Sequence, residues 1–461
     1  MSACSQLVDG LNDDPNNPTD ASYEYILTGA EVGNIIFQTG ETARRAGIFS
    51  GYYTGIDRQH LGFSQYTVTT SDFDDLWDDA YVNTYRNALE AQRAAEREGI
   101  EGITIGITQV LRAMTLGTTA SLYGDIPFDE AGSLEAENPA FESQRTVYQK
   151  VQLLLDDAIT SLTLGTGRPP IGSDIYFDGD AASWIAVANT LKARFYIHTE
   201  EYTLAYAAAQ NGIGTSNNSM MAPHGMAADD ANLNYQFFAV QVRQSDLITS
   251  EFMTSLVAPD AVTNPILPNY RGNAKTNETA RYNYLFQVTE FGTQPNTNAD
   301  GYAQIDTFSP IVTYQENLLI LAEAGARSVD FNTGLGHLNT FRSYMSGGGY
   351  LSNPTLTDLQ YDAYVSTDFD NGGIENQDGI SADNALLREI LEERYVTFFG
   401  QIEGFNDTRR TLNETAVRVP VDPNTGSVLP QRFIYPQSEI DRNTSVPNPI
   451  PDFFAPTEVN Q

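Results

Sequence analysis

The longest run of helically spaced apolar residues lies between residues 103 and 123. The apolar positions recur every three or four residues, at Ile103, Ile107, Val110, Leu111 and Met114. This spacing predicts a helix with one face to bury. Gly124 follows the run and Pro127 stands just beyond it, in the order expected of a glycine cap and a helix breaker. We expect the rest of the chain to be organised around this helix.

Periodic apolar residues predict further helices on both sides of this one. The predicted ranges are 23–38, 73–98, 146–162, 180–198, 200–209, 245–257, 335–345 and 384–399. Helix starts are indicated at Ser71-x-x-Asp74, at Asp180 and at the capping box Thr313-x-x-Glu316, which precedes NLLILAEAGARS. Short turns join the helices of the first half, so we expect successive antiparallel pairs in a tetratricopeptide-like stack.

Three sections of the chain lack this periodicity. Residues 43–70 form a predicted loop with several glycines and tyrosines, and residues 210–310 are rich in Asn, Gly and Pro. The last fifty residues, 412–461, hold eight prolines and are expected to wrap in extended form against the body. A hundred residues of mostly irregular chain inside a globular protein are usually functional. We therefore predict one mainly α domain over residues 21–461 with a large loop-built face, behind a polar tether at residues 1–20.

The charge of the chain narrows the classes of ligand. The 461 residues carry a formal net charge of −35 at pH 7. Such a surface repels nucleic acid and anionic membranes, so neither is expected as a direct ligand, and neutral ligands are favoured over acidic ones. The sequence contains no stretch of 18 or more apolar residues, so it predicts no membrane-spanning helix.

Cys4 is the one cysteine in the sequence, which excludes an intramolecular disulfide and a cysteine-based metal site. The residues around it, Ser2–Ala3–Cys4–Ser5, resemble the end of a bacterial lipobox, whose cysteine is acylated after signal cleavage. Several acyl chains on one residue would hold the protein firmly to a membrane. A cysteine placed here by chance is the alternative interpretation.

No established catalytic motif occurs in the sequence, and we predict no cofactor. Nucleophile elbows, phosphate-binding loops and zinc-protease motifs are absent, and the four histidines are scattered along the chain. His198 ends an apolar helix stripe, which favours a packed core position. Asp368, Asp370, Glu375 and Asp378 could offer oxygens to calcium, but their spacing is not that of an EF-hand. A solvated acidic loop is the favoured interpretation.

Aromatic residues remain as candidates for ligand binding. Neutral sugars stack their C–H faces on flat rings, while amide, carboxylate and guanidinium groups bond their hydroxyls. Trp184 stands on an apolar helix stripe and is predicted to be core. Trp77 stands among four aspartates at a helix start, and aspartate side chains are rarely buried. Trp77 could therefore lie at the surface, or it could pack against Tyr81 one turn on.

Several stretches resemble the SusD/RagB family, the surface glycan-binding lipoproteins of Bacteroidetes. The most specific is LYGDIPFDEA, from Leu122 to Ala131, at the end of the organising helix. The other matching stretches, in the family's order, are Trp77-x-x-x-Tyr81, Trp184 to Arg194, Pro310 to Ala326, Glu403 to Thr411, and Arg432 to Glu439 with Asn443. The resemblance covers nearly the whole chain.

The resemblance implies tetratricopeptide-like helix pairs that support an irregular glycan-binding face. It implies a protein anchored through Cys4 at the outer membrane, facing outward, which acts as a lid on a SusC-like TonB-dependent transporter. It also implies that an oligo- or polysaccharide is bound without cleavage. The implied ligand groups are Trp77 with Arg58, Phe63, Gln65 and Tyr66 in the 43–70 loop, and an aromatic residue of the later irregular section.

That later section contains no tryptophan, so a tyrosine or phenylalanine is expected to supply its ring. The candidates are Tyr282, Tyr284, Tyr302 and Phe308, and we favour Tyr282 and Tyr302. Two other functions stay open on the sequence alone. One is a mostly helical glycoside hydrolase, and the other is a helical-repeat scaffold for protein partners.

Overall fold

A computed structural model describes residues 21–133, 135–258 and 269–461 of the chain. The α-helices are α1 Tyr23–Thr39, α2 Glu41–Phe49, α3 Arg58–Ser64, α4 Asp74–Asp78, α5 Asn87–Arg97, α6 Ile103–Tyr123, α7 Gln144–Thr163, α8 Ala181–His198, α9 Tyr202–Ala209, α10 Leu233–Tyr235, α11 Glu251–Val257, α12 Thr279–Leu285, α13 Tyr314–Ser328, α14 Phe331–Ser346, α15 Ala382–Thr397, α16 Glu403–Arg410 and α17 Gln437–Arg442. The predicted mainly α fold is confirmed.

The strands are short and pair two by two. Their bounds are β1 Tyr53–Gly55, β2 Ile126–Pro127, β3 Phe141–Glu142, β4 Met220–Ala222, β5 Leu247–Thr249, β6 Thr276–Asn277, β7 Phe286–Thr289, β8 Gly292–Pro295, β9 Ser309–Val312 and β10 Gln360–Tyr361. The antiparallel ladders are β1–β5, β2–β3, β4–β9, β6–β10 and β7–β8. In the described ranges these ladders join loops to one another.

Helix α6 lies at the centre of the fold, as its apolar pattern predicts. It is buried on all sides rather than on one face, because α1, α5, α7 and α8 all pack around it. Its glycines permit this close packing: a Cβ at Gly106 would overlap Leu162, and one at Gly117 would overlap the ring of Phe195. Gly124 ends the helix with a φ of 88°, a conformation that favours glycine.

Successive helices pack in pairs, in agreement with the predicted architecture. Helices α6 and α7 pack along their length, as do α8 with α9 and α13 with α14. The last two pairs are joined by very short turns, which requires antiparallel packing. The caps at Asp180 and Thr313 form as predicted. The Asp180 side chain accepts a hydrogen bond from the Ser183 backbone N–H, and the Thr313 side chain accepts one from the Glu316 backbone N–H. The cap predicted at Ser71 is wrong by two residues, because Thr69 and Asp72 form the capping box.

The predicted helix over 73–98 is interrupted. A π-helical segment, Asp79–Arg86, stands between α4 and α5. Trp77, Tyr81 and Tyr85 lie along one side of this region, with ring centroids 4.6 and 6.1 Å apart in succession. The 43–70 section is also more regular than expected, since it contains most of α2, then β1 and α3. Gly47 and Gly62 lower the helix propensity of these short elements, which hides them in the sequence.

The C-terminal segment closes over the end of α6. The Phe433 backbone N–H donates to the carbonyl of Leu122 at 2.8 Å, and the Tyr435 hydroxyl donates to the carbonyl of Asp125 at 2.8 Å. Arg409, from α16, donates to the carbonyl of Ser121 at 2.8 Å. The bonds to Ser121 and Leu122 satisfy carbonyl groups that a helix leaves unpaired at its C-terminus. Apart from α17 and one 3₁₀ turn the segment is non-helical, as predicted.

No helix in the described ranges combines the length and the apolar character needed to cross a membrane. The tether at residues 1–20, including Cys4, lies outside the described residues. Its separation from a single domain stays a prediction.

Candidate functional site

Three segments that are distant in sequence meet on one side of the molecule. We call this surface the loop face and define it as residues 56–66, 240–249 and 286–295. Strands β1 and β5 pair with Thr54 opposite Ile248, which ties the first segment to the second. The β7–β8 hairpin is fixed to the second segment, because the Gln294 amide donates to the carbonyls of Gln244 at 2.6 Å and Leu247 at 2.9 Å. The predicted 43–70 loop thus meets the predicted 210–310 section.

Asp246 is the anchor of the loop face. Its side chain is fully buried, and its carboxylate accepts hydrogen bonds from Arg243 at 3.0 Å and Arg58 at 3.4 Å. The two arginine side chains are 55% exposed at Arg58 and 37% exposed at Arg243. A buried carboxylate therefore holds two guanidinium groups at the surface, with N–H donors left for a ligand. Arg58 is one of the residues named from the sequence.

A buried histidine also lies near Asp246. His60 lies behind Arg58, with ring nitrogens 4.0 Å from Asp246 and 3.9 Å from Glu41. Burial lowers the pKa of His60, and Arg44 adds to this effect, although Glu41 and Asp246 oppose it. His60 is therefore neutral at pH 7, and Arg58 and Arg243 supply the positive charge beside Asp246.

Gln65 and Tyr66 follow α3 at the edge of the loop face. Gln65 is exposed, and Tyr66 is half-buried with a φ of 56°. The Tyr66 hydroxyl accepts a hydrogen bond from the Asn424 backbone N–H at 2.9 Å, and burial raises the pKa of Tyr66 to about 12. The ring lies 6.0 Å from that of Phe454, which is partly exposed. Their contact with a ligand stays a prediction.

Trp77 lies in the core, so the expectation of a surface ring at this position is wrong. Its side chain is 5% exposed, and its ring packs on Tyr81 at 4.6 Å and edge-on to Tyr123 at 5.0 Å. The alternative predicted from the sequence, a packed Trp77–Tyr81 pair, is the arrangement found. The neighbouring aspartates do not expose Trp77, because Asp75 and Asp78 point outward while Trp77 faces inward.

Phe63 and Tyr302 are also buried, which corrects their expected role as surface rings. The guanidinium of Arg45 covers the Phe63 ring at 3.7 Å. Tyr302 packs against Phe399 with centroids 5.6 Å apart, and its hydroxyl lies where a side chain on Gly400 would stand. Tyr282 is half-buried beside Phe286, next to the loop-face hairpin, and its contact with a ligand stays a prediction. Tyr284 is half-buried, and Phe308 is half-exposed.

One edge of Trp77 reaches the floor of a groove of about 320 Å³ between α4, residues 127–132, Pro139 and α17. Glu439 also lines this groove and accepts a hydrogen bond from Asn443 at 2.7 Å. Burial raises the pKa of Glu439, while the bond from Asn443 opposes the rise. Because Trp77 is only 5% exposed, the groove offers little of its ring to a ligand.

Three of the four acidic residues considered for calcium bond other residues of the protein. Asp368 forms an ion pair with Lys275 at 2.6 Å. Asp378 accepts hydrogen bonds from both terminal nitrogens of Arg388, at 2.8 and 3.0 Å. Glu375 accepts a bond from Asn273 at 2.5 Å. In residues 21–133, 135–258 and 269–461 no group of three or more His, Cys, Asp or Glu side chains is arranged to hold a metal ion.

A family model described as SusD-like, "starch-binding associating with outer membrane", matches residues 15–436. That range takes in helices α1 to α16, the loop face and the first half of the C-terminal segment. The chain belongs to the SusD-like family. No curated protein sequence matches it.

Solved structures of SusD-like proteins share this fold. A SusD/RagB family protein from Bacteroides thetaiotaomicron is 19% identical, with a TM-score of 0.66 over 92% of this chain and 95% of its own. A chitin-binding SusD homolog from Flavobacterium johnsoniae is 16% identical, with a TM-score of 0.65 over 91% and 94%. A SusD homolog from Parabacteroides distasonis is 17% identical, with a TM-score of 0.69 over 96% and 98%.

The stretches that resemble the SusD-like family form buried contacts with one another. Arg194 makes a two-bond pair with Glu316 at 2.6 and 2.7 Å, and Arg410 makes one with Glu323 at the same distances. These pairs join α8 to α13 and α13 to α16. The shared stretches therefore define the fold of a SusD-like protein, and the loop face is built from other residues.

Sequence reasoning missed Arg243 and Asp246. Both lie in the irregular 210–310 section, where aromatic residues alone were considered. No local signal singles out Arg243, because the same section also contains Arg271, Lys275 and Arg281. The partner of Arg243 across the face, Arg58, was identified.

Proposed function

We propose that this SusD-like protein binds a neutral oligo- or polysaccharide at the outer cell surface through its loop face. The observation that carries the proposal is the family match, which spans residues 15–436 and includes all three segments of the loop face. Two relatives of the same fold are named as chitin-binding. The chemistry of the face agrees, because guanidinium groups held by a buried carboxylate suit sugar hydroxyls.

The bound glycan would pass to a SusC-like TonB-dependent transporter, and acylated Cys4 would hold the protein to the outer membrane. The family's description as outer-membrane-associated supports this placement. The net charge of −35 favours neutral glycans over acidic ones.

We also propose that binding proceeds without cleavage. Glycoside hydrolysis requires two carboxyl groups flanking the bond, one of them a proton donor with a raised pKa. At the loop face Asp246 is buried, and its carboxylate is bonded by Arg58 and Arg243 rather than open to a glycan. Asp57 is exposed to solvent. This arrangement suits binding better than acid catalysis.

Affinity electrophoresis tests the proposal. Purified protein is run through gels that contain starch, glycol chitin, xyloglucan, laminarin or alginate, and reducing ends are measured after incubation with each polysaccharide. We expect retardation by at least one neutral polysaccharide, none by alginate, and no release of sugar. Steady release of reducing ends would favour the hydrolase alternative. Migration unchanged in every gel, with capture of a soluble protein partner, would favour the scaffold alternative.

Arg58→Ala and Arg168→Ala form a matched pair for this test. Arg168 is 56% exposed and pairs with Asp178 at 3.3 Å, close to the exposure and ion-pair distance of Arg58. It lies outside the loop face. Arg58→Ala should reduce retardation, while Arg168→Ala should migrate as the unmodified protein does.

A further inference from the structure

A cleft of about 650 Å³ lies outside the loop face. Its walls come from α11, residues 269–273, residues 374–380, α15 and residues 415–420. None of its described lining residues belongs to the three segments of the loop face. Its volume is in the range of binding pockets for small molecules.

The lining of the cleft is neutral overall, in contrast to the chain. Its charged residues are three arginines and three carboxyl groups: Arg271, Arg388, Arg418, Glu375, Asp378 and Glu392. The whole chain carries a net charge of −35. Because the local charges cancel, the cleft suits an uncharged polar ligand better than an ion of either sign.

Most of these charged groups are already held within the protein. Arg271 is buried and bonds Glu278 at 2.6 Å, Glu393 at 2.8 Å and Glu389 at 2.9 Å. Arg388 is held by Asp378 at the rim. These bonds fix the floor and one edge of the cleft, so the site is formed before a ligand arrives.

Glu392 is different. It is half-buried at the cleft, and no described residue forms an ion pair or a hydrogen bond with its side chain. Burial raises the pKa of Glu392 to about 7, with Glu375 adding to the rise and Arg271 and Arg388 opposing it. Near neutral pH both protonation states are populated, so the carboxyl group can accept or donate a hydrogen bond.

The cleft also offers flat and apolar surface. Phe252 and Leu256 of α11 form one wall, and Ile374 and Ile380 lie among its other lining residues. The Tyr270 ring lies over Gly272, in space that a side chain at that position would occupy. Asn269 and Gln377 add amide groups to the lining.

We propose that this cleft is a second saccharide-binding site, which takes a neutral sugar unit of the glycan that the loop face binds. Apolar walls receive the C–H faces of a sugar, and amide, carboxyl and guanidinium groups bond its hydroxyls. The inference rests on the proposed function. Two separate sites on one chain strengthen the binding of a polymer, because the second contact becomes intramolecular.

Titration calorimetry of the full chain tests the inference, with maltohexaose, chitohexaose, xylohexaose and laminarihexaose as probes. The cleft variant is Glu392→Ala with Asn269→Ala, the loop-face variant is Arg58→Ala with Arg243→Ala, and Glu98→Ala at the exposed end of α5 is the control. We expect two bound hexasaccharides per chain for the unmodified protein and for the control, and one for the cleft variant. For the matching polysaccharide, the cleft variant should bind at least tenfold more weakly.

Melting temperatures of all variants establish that each is folded. We expect the cleft variant to fold, because Glu392 has no described partner to lose. One bound hexasaccharide in the unmodified protein, lost in the loop-face variant and kept in the cleft variant, would overturn the second site and leave the proposed function standing. No binding of any probe or polysaccharide would overturn both.

Discussion

Trp77→Ala separates a structural role for this residue from a direct role in binding. The substitution removes an indole that is 5% exposed and that has four aromatic neighbours, with centroids 4.6, 5.0, 6.3 and 6.4 Å away. Truncation of a buried tryptophan costs about 3–5 kcal/mol of unfolding free energy, because it removes apolar contacts and leaves a cavity.

The assay compares melting temperature and glycan affinity on the same purified variant. We expect a large fall in melting temperature, with glycan affinity close to normal for the fraction that stays folded. Val82→Ala, at an exposed position one turn further on, is the surface control and should change neither quantity. Trp184→Ala is the core control and should destabilise the fold, since Trp184 is fully buried and donates to Asp174 at 2.7 Å. An unchanged melting temperature with a tenfold or greater loss of affinity would refute the reasoning.

Three further predictions concern stability and anchoring. Glu392→Gln should raise the unfolding free energy by about 1–3 kcal/mol at pH 8 and by less at pH 5, because the raised pKa of Glu392 lowers stability progressively as the pH rises from about 4.5 to 7 and leaves it lowered above pH 7; equal gains at both pH values in denaturant titrations would contradict this. Arg194→Met should cost about 3–5 kcal/mol in the same titrations, because it leaves Glu316 charged and buried, and a loss below about 1 kcal/mol would argue against the ion pair. Cys4→Ala in a precursor with its signal should release protein from the membrane fraction; pelleting of this variant in cells without the transporter would disprove acylation at Cys4.

Helix positions could be predicted from the sequence because their signals are local. The apolar spacing over 103–123, the cap at Asp180 and the capping box at Thr313 each specify structure within a few residues. The interruption at Asp79–Arg86 could not be predicted in this way, because Trp77, Tyr81 and Tyr85 recur every four residues, a spacing that an ordinary α-helix also shows.

The candidate site could be predicted only in part, because its geometry depends on residues that are far apart in the sequence. Arg58 was identified, but its fixed position depends on Asp246, which is 188 residues away in sequence. Trp77 was left between two interpretations, because acidic neighbours show that one side of a helix meets water and do not show which side chain faces inward. Only the packing of Tyr123 and Tyr435 against Trp77, from distant parts of the chain, decides its burial.

The most direct test of glycan binding at the loop face is titration calorimetry with the polysaccharide that retards the protein in gels. Arg58→Ala with Arg243→Ala removes both guanidinium groups that Asp246 holds at the surface. Hydrogen bonds to charged groups contribute about 1.5–3 kcal/mol each, so the affinity of the folded variant should fall at least tenfold. The melting temperature should also fall, because Asp246 stays buried without its two guanidinium partners. Arg168→Ala should bind as the unmodified protein does. Unchanged affinity in the folded double variant would contradict the assignment of glycan binding to this face.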